Sequence, residues 1–185
     1  MILVTGATGF VGRALVSELV AKGSQVKALV RRVAIGLPVE IEPVVVDLGE
    51  IEDEGAIKDA FGGVGVVIHA AARAHMMQDR SANPLAEFRK LNRDATLALA
   101  GLAADAGVKR FVFLSSIGVN GNNNRKPFCE KDKPNPHEPY AISKYEAEQG
   151  LQALAKKTSM EVVIIRPPLV YGPNAPGNFG SLVNW

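Results

Sequence analysis

The sequence predicts an α/β fold: a doubly wound parallel (Rossmann) sheet of about six strands in the order 3-2-1-4-5-6, with helices on both faces. Three observations predict it. Short β-prone runs alternate with amphipathic stretches of helical length along the whole chain. Several of those runs, "VVV", "GVVI" and "VVII", are continuously apolar, as parallel strands buried on both faces are. A glycine-rich turn joins the first strand to the first helix, where such sheets hold their ligands.

The elements follow in order. Ile2–Val4 is the first strand, and Phe10–Lys22 carries Val11, Ala14, Leu15 and Leu19 at helical spacing before Gly23 stops it. "QVKALV" and "PVVVDL" are the second and third strands, separated by a loop holding Gly36 and Pro38. "IEDEGAIKDAF" forms a short helix whose acidic start is a solvated face. "GVVIHAAA" is a buried strand running into small residues. "ANPLAEFRKLNRDATLALAGLAADAG" reads as one helix. Asn83 caps it, Pro84 suits its first position, Gly107 suits its end, and Phe88, Leu91, Ala95, Leu99 and Leu102 form its apolar stripe. "KRFVFLSS" is the fifth strand, "RKPFCEKDKPNPHEP" a polar loop, "PYAISKYEAEQGLQALAKKT" a helix and "EVVIIRPP" the sixth strand. The final "LVYGPNAPGNFGSLVNW" is rich in proline and glycine. With no internal repeat or long linker, residues 1–185 are expected to form one domain.

Composition narrows the function. Hydrophobic residues are 47% and charged residues 22% of the 185, a globular balance with room for a real core. The formal net charge is +2, with no basic run to suggest nucleic acid. Cys129, the one cysteine, excludes an internal disulfide and a cysteine-built zinc site, and reads as a reduced thiol in a loop. The apolar start breaks at Gly6, so it is neither a signal peptide nor a membrane span, and a cytoplasmic protein is expected. His69 ends a strand and reads as a buried, hydrogen-bonded side chain. His75 and His137 fall in loops, and no histidine pair shares ligand spacing with a carboxylate, so no metal is expected.

The chemistry sits in two constellations. Gly6, Gly9 and Gly12 recur at three-residue spacing between strand and helix. Such glycines permit a tight turn, backbone approach to a pyrophosphate, and close helix–strand packing, and the helix N-terminus adds free N–H groups and a positive dipole end. Gly6, Gly9, Phe10, Val11 and Gly12 are therefore the expected phosphate cradle. The second constellation is "YAISK", where Tyr140 and Lys144 lie one helical turn apart on one face. An ammonium beside a phenol favours the phenolate, so the tyrosine is expected to titrate closer to neutrality and to exchange protons with a substrate hydroxyl. Ser115 and Ser116 end the fifth strand, where a hydroxyl can orient a substrate oxygen.

"TGATGFVG" at the first strand, a serine ending the fifth and "YAISK" opening the next helix together resemble the extended branch of the short-chain dehydrogenase/reductase superfamily, a branch of epimerases, dehydratases and ketoreductases. The likeness covers nearly the whole chain. It implies Ser116 as substrate orienter, by register against "VNG", Tyr140 as acid/base, and Lys144 as its partner and ribose anchor. It also implies Asp47 and Leu48 of "VVVDL" against adenine, Ala70, Ala71 and Ala72 of "HAAA" along the cofactor, and Pro167 and Val170 of "RPPLVYGP" at the nicotinamide. Asn92 falls at the family's helix asparagine. "PHEPYAISKYEAE" and "RPPLVYGP" resemble sugar-nucleotide epimerases and 4-ketoreductases most. Related 4,6-dehydratases carry an Asp–Glu pair after the serine, whereas Ile117 and Gly118 follow Ser116 here, which disfavours dehydration. Extended members also continue beyond the sixth strand into a substrate-binding part, so the chain resembles the nucleotide-binding portion of a longer protein.

The expected function is hydride transfer between a nicotinamide cofactor and a nucleotide sugar, as an epimerase or 4-ketoreductase. The alternatives are a non-catalytic dinucleotide-binding module or inactive fragment of that fold, and a flavodoxin-like domain in which the Tyr–Lys pair is accidental. Val30 stands where NAD users tend to carry an aspartate, and Arg31 and Arg32 follow it, so NADP is expected over NAD, with NAD also accommodated. The expected partner is a nucleotide-sugar substrate, with a homodimer allowed and neither nucleic acid nor membrane involved.

Overall fold

The computed structural model describes residues 1–32, 36–49, 54–74, 81–124, 126–173 and 175. Six strands, β1 (Ile2–Thr5), β2 (Val26–Val30), β3 (Glu42–Val45), β4 (Val66–His69), β5 (Arg110–Leu114) and β6 (Glu161–Ile165), form one sheet. All neighbours pair in parallel, in the order β3-β2-β1-β4-β5-β6, as the alternation of elements predicts. The helices are α1 (Phe10–Ala21), α2 (Glu54–Ala60), α3 (Pro84–Arg89), α4 (Thr96–Asp105) and α5 (Pro139–Ala155).

Successive strand side chains point to opposite faces, so each strand feeds two cores. Leu3, Leu29, Val67, Phe111 and Phe113 face α2, α4 and α5, packing with Ile57, Leu99, Ala103 and Leu151. Val4, Ala28 and Val30 face the other way, onto Val16 of α1. Burying a side chain such as Leu99, which is 0% exposed, contributes about 1.5–3 kcal/mol. On the α1 face, cover by the described residues stops short of β6, where Val163 and Ile165 are 39% and 45% exposed.

The single helix expected over 82–107 is broken. It starts as read, with Pro84 at its first turn and Asn83 Oδ1 accepting from the Ala86 amide at 3.2 Å. A π-helical turn then occupies Lys90–Ala95 before α4 resumes. A π turn inserts an extra residue and rotates what it carries. Here it carries Asn92, which is fully buried and bonds to Arg73 and Ser143. Those tertiary bonds offset the poorer helical geometry, and a 3.6-residue periodicity has no means of registering them.

Smaller differences concern ends. The third strand begins at Glu42 and closes at Val45, so Val46, Asp47 and Leu48 lie beyond it. The small residues after His69 and the two serines after Leu114 likewise fall just past β4 and β5. Ile51–Asp53, the start of the acidic helix, and His75 lie outside the described residues.

Candidate active site

The strand register lines up one edge of the sheet. Thr5 is level with Leu29 and His69, His69 with Phe113, and Phe113 with Ile164. The residues that follow these positions, Gly6, Ala70, the serine pair and Arg166–Pro167, therefore emerge along the same carboxyl edge. A cleft of about 900 Å³ opens there, lined by Gly6, Gly9, Arg31, Arg32, Asp47, Leu48 and Ala70–Ala72, with Arg13, Arg73 and Lys90 contributing further cations.

The glycine turn is shaped by contacts that exclude side chains. Gly6 has φ +68°, and a Cβ on it would lie 2.6 Å from the Ala71 nitrogen. Gly12 does not line the cleft. It packs α1 onto the turn, where a Cβ would meet the Gly6 carbonyl oxygen at 2.0 Å. Gly9 is the N-cap of α1 and provides no side-chain cap, so the first-turn amides of Phe10, Val11 and Gly12 are left for a ligand. Small residues, an uncapped helix start and surrounding cations fit a dinucleotide pyrophosphate.

Behind the turn lies a buried polar chain. The Ala71 amide donates to Thr5 Oγ1 at 3.2 Å, and Thr5 Oγ1 shares a hydrogen bond with His69 Nδ1 at 2.7 Å. His69 Nε2 is in turn hydrogen-bonded to Thr96 Oγ1 at 2.9 Å. This makes His69 the buried, bonded side chain expected of it, and ties β1, β4 and α4 together under the cradle. Burial, aided by the charge of Lys144, holds its pKa down to about 3. The unfolded chain takes up a proton near the ordinary value of 6.5 and the folded one does not, so stability falls as the pH drops from 6.5 toward 3. Urea midpoints measured across that range for the wild type and His69→Gln are expected to converge on acidification. The wild type should lose up to about 4 kcal/mol more than the variant by pH 3, and parallel pH profiles would contradict this.

Tyr140 opens α5 and Lys144 follows one turn later. The Lys144 side chain is 1% exposed, and its Nζ sits 3.9 Å above the centroid of the Phe113 ring. Burial lowers its pKa to about 7, partly offset by Glu148. Tyr140 packs its ring edge-on to Phe88, with centroids 6.0 Å apart. In this chain burial raises the Tyr140 pKa, the reverse of the depression expected from sequence. The ammonium is directed onto Phe113, so desolvation dominates the phenol.

The two serines differ. Ser115 is 4% exposed and donates its hydroxyl to Glu148. Ser116 is half-buried and its Oγ accepts from the Gly118 amide at 3.1 Å, capping a short 3₁₀ turn at Ile117–Val119. Its hydroxyl hydrogen can therefore be donated elsewhere. A Cβ on Gly118 would stand 3.3 Å from Ala141 Cβ, so this turn packs against α5 beside Tyr140.

The remaining candidates are spread along the edge. Asp47 is exposed at the cleft and accepts the Gly49 amide, while Leu48 is 5% exposed. Pro167 is half-buried, with its carbonyl accepting from the Ile117 amide at 3.0 Å. Val170 is 41% exposed, and neither residue lines the cleft. Cys129 is exposed, with its amide and thiol both donating to Asp132, which lowers that carboxyl's pKa. Sequence reasoning missed Glu148 and Arg166. Their only signal was Glu148 recurring four residues after Lys144 on the same helix face.

Comparison with known proteins shows the family and the fold. The profile described as the NAD dependent epimerase/dehydratase family matches residues 2–183. UDP-glucose 4-epimerase of Vibrio cholerae is 44% identical over 184 residues, covering 98% of this chain and 55% of that protein. Among solved structures, UDP-glucose 4-epimerase of Thermus thermophilus in complex with NAD superposes with a TM-score of 0.82 at 28% identity, over 99% of this chain and 60% of that one. MoeE5 in complex with UDP-glucuronic acid and NAD gives a TM-score of 0.82 at 32% identity, over 96% and 57%. The chain spans about half the length of the curated relatives it matches.

Proposed function

The chain belongs to the NAD dependent epimerase/dehydratase family, and from that premise we propose that it carries the cofactor-binding and acid/base half of an epimerase or oxidoreductase acting on a nucleotide sugar. The observation that carries the reading is a buried lysine one turn from Tyr140, on a helix packed against the Ser116 turn, at the edge that also bears the glycine cradle.

The cradle amides and Gly9 would hold a pyrophosphate. Asp47 and Leu48 would border the adenine, Ala70–Ala72 the middle of the dinucleotide, and Pro167 and Val170 its nicotinamide end. A bound nicotinamide dinucleotide supplies hydride acceptance and return. Tyr140 then takes the proton from a sugar hydroxyl as the carbon is oxidised and gives it back on reduction. Ser116 donates a hydrogen bond to the same oxygen and fixes its direction. Lys144, as an ammonium, favours the phenolate and anchors the ribose.

A chimera joining this chain to the remaining half of the Vibrio cholerae relative tests the reading. It is expected to interconvert UDP-galactose and UDP-glucose, and a folded, cofactor-loaded chimera without turnover would overturn it.

The end of β2 also sets a cofactor preference in this proposal. Arg31 and Arg32 are exposed at the cleft, with Val30 in place of a ribose-binding carboxylate. Guanidinium groups match a 2′-phosphate bidentately, so NADP should bind more tightly than NAD. Calorimetric titration of both at equal salt checks this, and a tighter NAD constant would reverse it. Gly9→Val should weaken both alike, by closing the backbone approach to the pyrophosphate.

A further inference from the structure

Glu148 is 1% exposed, yet it is a charge. Three donors hold it. Arg166 donates from Nε to Oε1 at 2.9 Å and from Nη2 to Oε2, and Ser115 donates its hydroxyl to Oε1. Arg166 in turn donates from Nη1 to Asn120 Oδ1 at 3.0 Å. The pair thus ties α5 to the ends of β5 and β6, and each of its members adjoins the site. Ser115 precedes Ser116, Arg166 precedes Pro167, and Glu148 lies one turn beyond Lys144.

Lys144 needs such a neighbour. Its Nζ rests on the face of Phe113, and no carboxylate contacts it among the described residues. The titratable and charged groups around it are Tyr140 and Glu148 on its own helix, His69 on β4, and Arg166 beyond Glu148 at the end of β6. His69 stays neutral above about pH 3 and contributes no negative charge. The π turn reaches this helix through the neutral Asn92, which donates to Ser143, the residue before Lys144. Glu148 is the one anion of the set.

We propose that Glu148, fixed in place by Arg166 and Ser115, is a positioning residue that keeps the Lys144 side chain an ammonium beside Tyr140. The proposal rests on the Tyr140–Lys144 reading above. A buried lysine whose proton is held near pH 7 loses it readily, and a neutral lysine has no field to favour a phenolate. Glu148 opposes that loss.

Side-chain NMR of Lys144 in the intact chain, with its signal identified by its absence in Lys144→Met, reads this directly. The wild-type midpoint is expected at about 7. Glu148→Gln should lower it by about one unit, and so should the double variant Glu148→Gln/Arg166→Gln, which removes the same carboxylate and leaves no buried charge unpaired. A merely structural role would move neither midpoint in a defined direction. If Glu148→Gln does not fold, the double variant decides alone: a downward shift supports the proposal and an unchanged midpoint overturns it. The reading it rests on fails separately. Were Tyr140→Phe harmless to turnover in the chimera, these shifts would persist and only the functional reading would fall. Unmoved midpoints with a damaging Tyr140→Phe would overturn this proposal alone.

Discussion

Gly12→Ala is expected to abolish dinucleotide binding and to cost the fold about 3 kcal/mol or more, at or above the top of the usual range for overpacking. The added methyl would stand 2.0 Å from the Gly6 carbonyl oxygen, 2.7 Å from its carbon and 2.9 Å from Ala7 Cα. All three are backbone atoms, so no side chain can swing aside. Nor can the turn retreat, because Gly6 is itself pressed against the backbone of Ala70 and Ala71. The remaining freedom is for α1 to lift off β1. That would open the contact of Val16 with Val4 and carry the helix N-terminus away from the pyrophosphate position. Gly101, inside α4, is the control. Nothing lies within 4 Å of a Cβ there, and Ala in its place should add up to about 1 kcal/mol of helix propensity. Urea midpoints and calorimetric titration report both effects, and a Gly12→Ala protein that binds and unfolds like the wild type would refute the packing argument.

The sheet was legible because burial on both faces leaves a signature in composition. "VVV", "GVVI" and "VVII" stand out as strands, and the strand order rested on their alternation with helices and on the first-strand glycine turn. Helix ends were legible where local chemistry makes them, as with Asn83 capping at Ala86. The π turn at Lys90–Ala95 was not, because it is stabilised by bonds from Asn92 to Arg73 and Ser143, neither a neighbour in sequence. The same holds for the site. Candidate residues for a glycine cradle and a Tyr–Lys pair can be named from spacing alone. Their electrostatics cannot, because the Lys144 ammonium rests on the ring of Phe113, which lies on β5. A sequence gives the distance between Tyr140 and Lys144 along a helix and says nothing about which aromatic face the lysine covers. That is why the expected depression of the phenol is absent here and burial prevails.

Tyr140→Phe, introduced into the chimera with the Vibrio cholerae half, is expected to lower turnover by about two to four orders of magnitude, the usual contribution of a positioned general acid–base. The substitution removes one oxygen and leaves the ring that packs against Phe88, so stability should change by less than about 1 kcal/mol. Cofactor affinity should change little, because the hydroxyl acts on the substrate's proton and Tyr140 is not among the residues that line the cradle cleft. The loss should therefore appear in kcat. Lys144→Met is the companion test and should behave differently. It removes the charge that favours the phenolate and the proposed ribose anchor together, so both kcat and cofactor affinity should suffer. The pH dependence separates them further. Lys144 is cationic below about pH 7 and neutral above it, whereas burial pushes the phenol in the opposite direction, upward. The two shifts move the phenolate and the ammonium apart in pH. In the proposed reaction a bound dinucleotide would bring the two midpoints together. A Tyr140 absorbance titration should move to lower pH when dinucleotide is added, and the shift should vanish in Lys144→Met. A phenol that titrates identically with and without cofactor, or a Phe variant with near-normal kcat, would remove Tyr140 from the acid/base role.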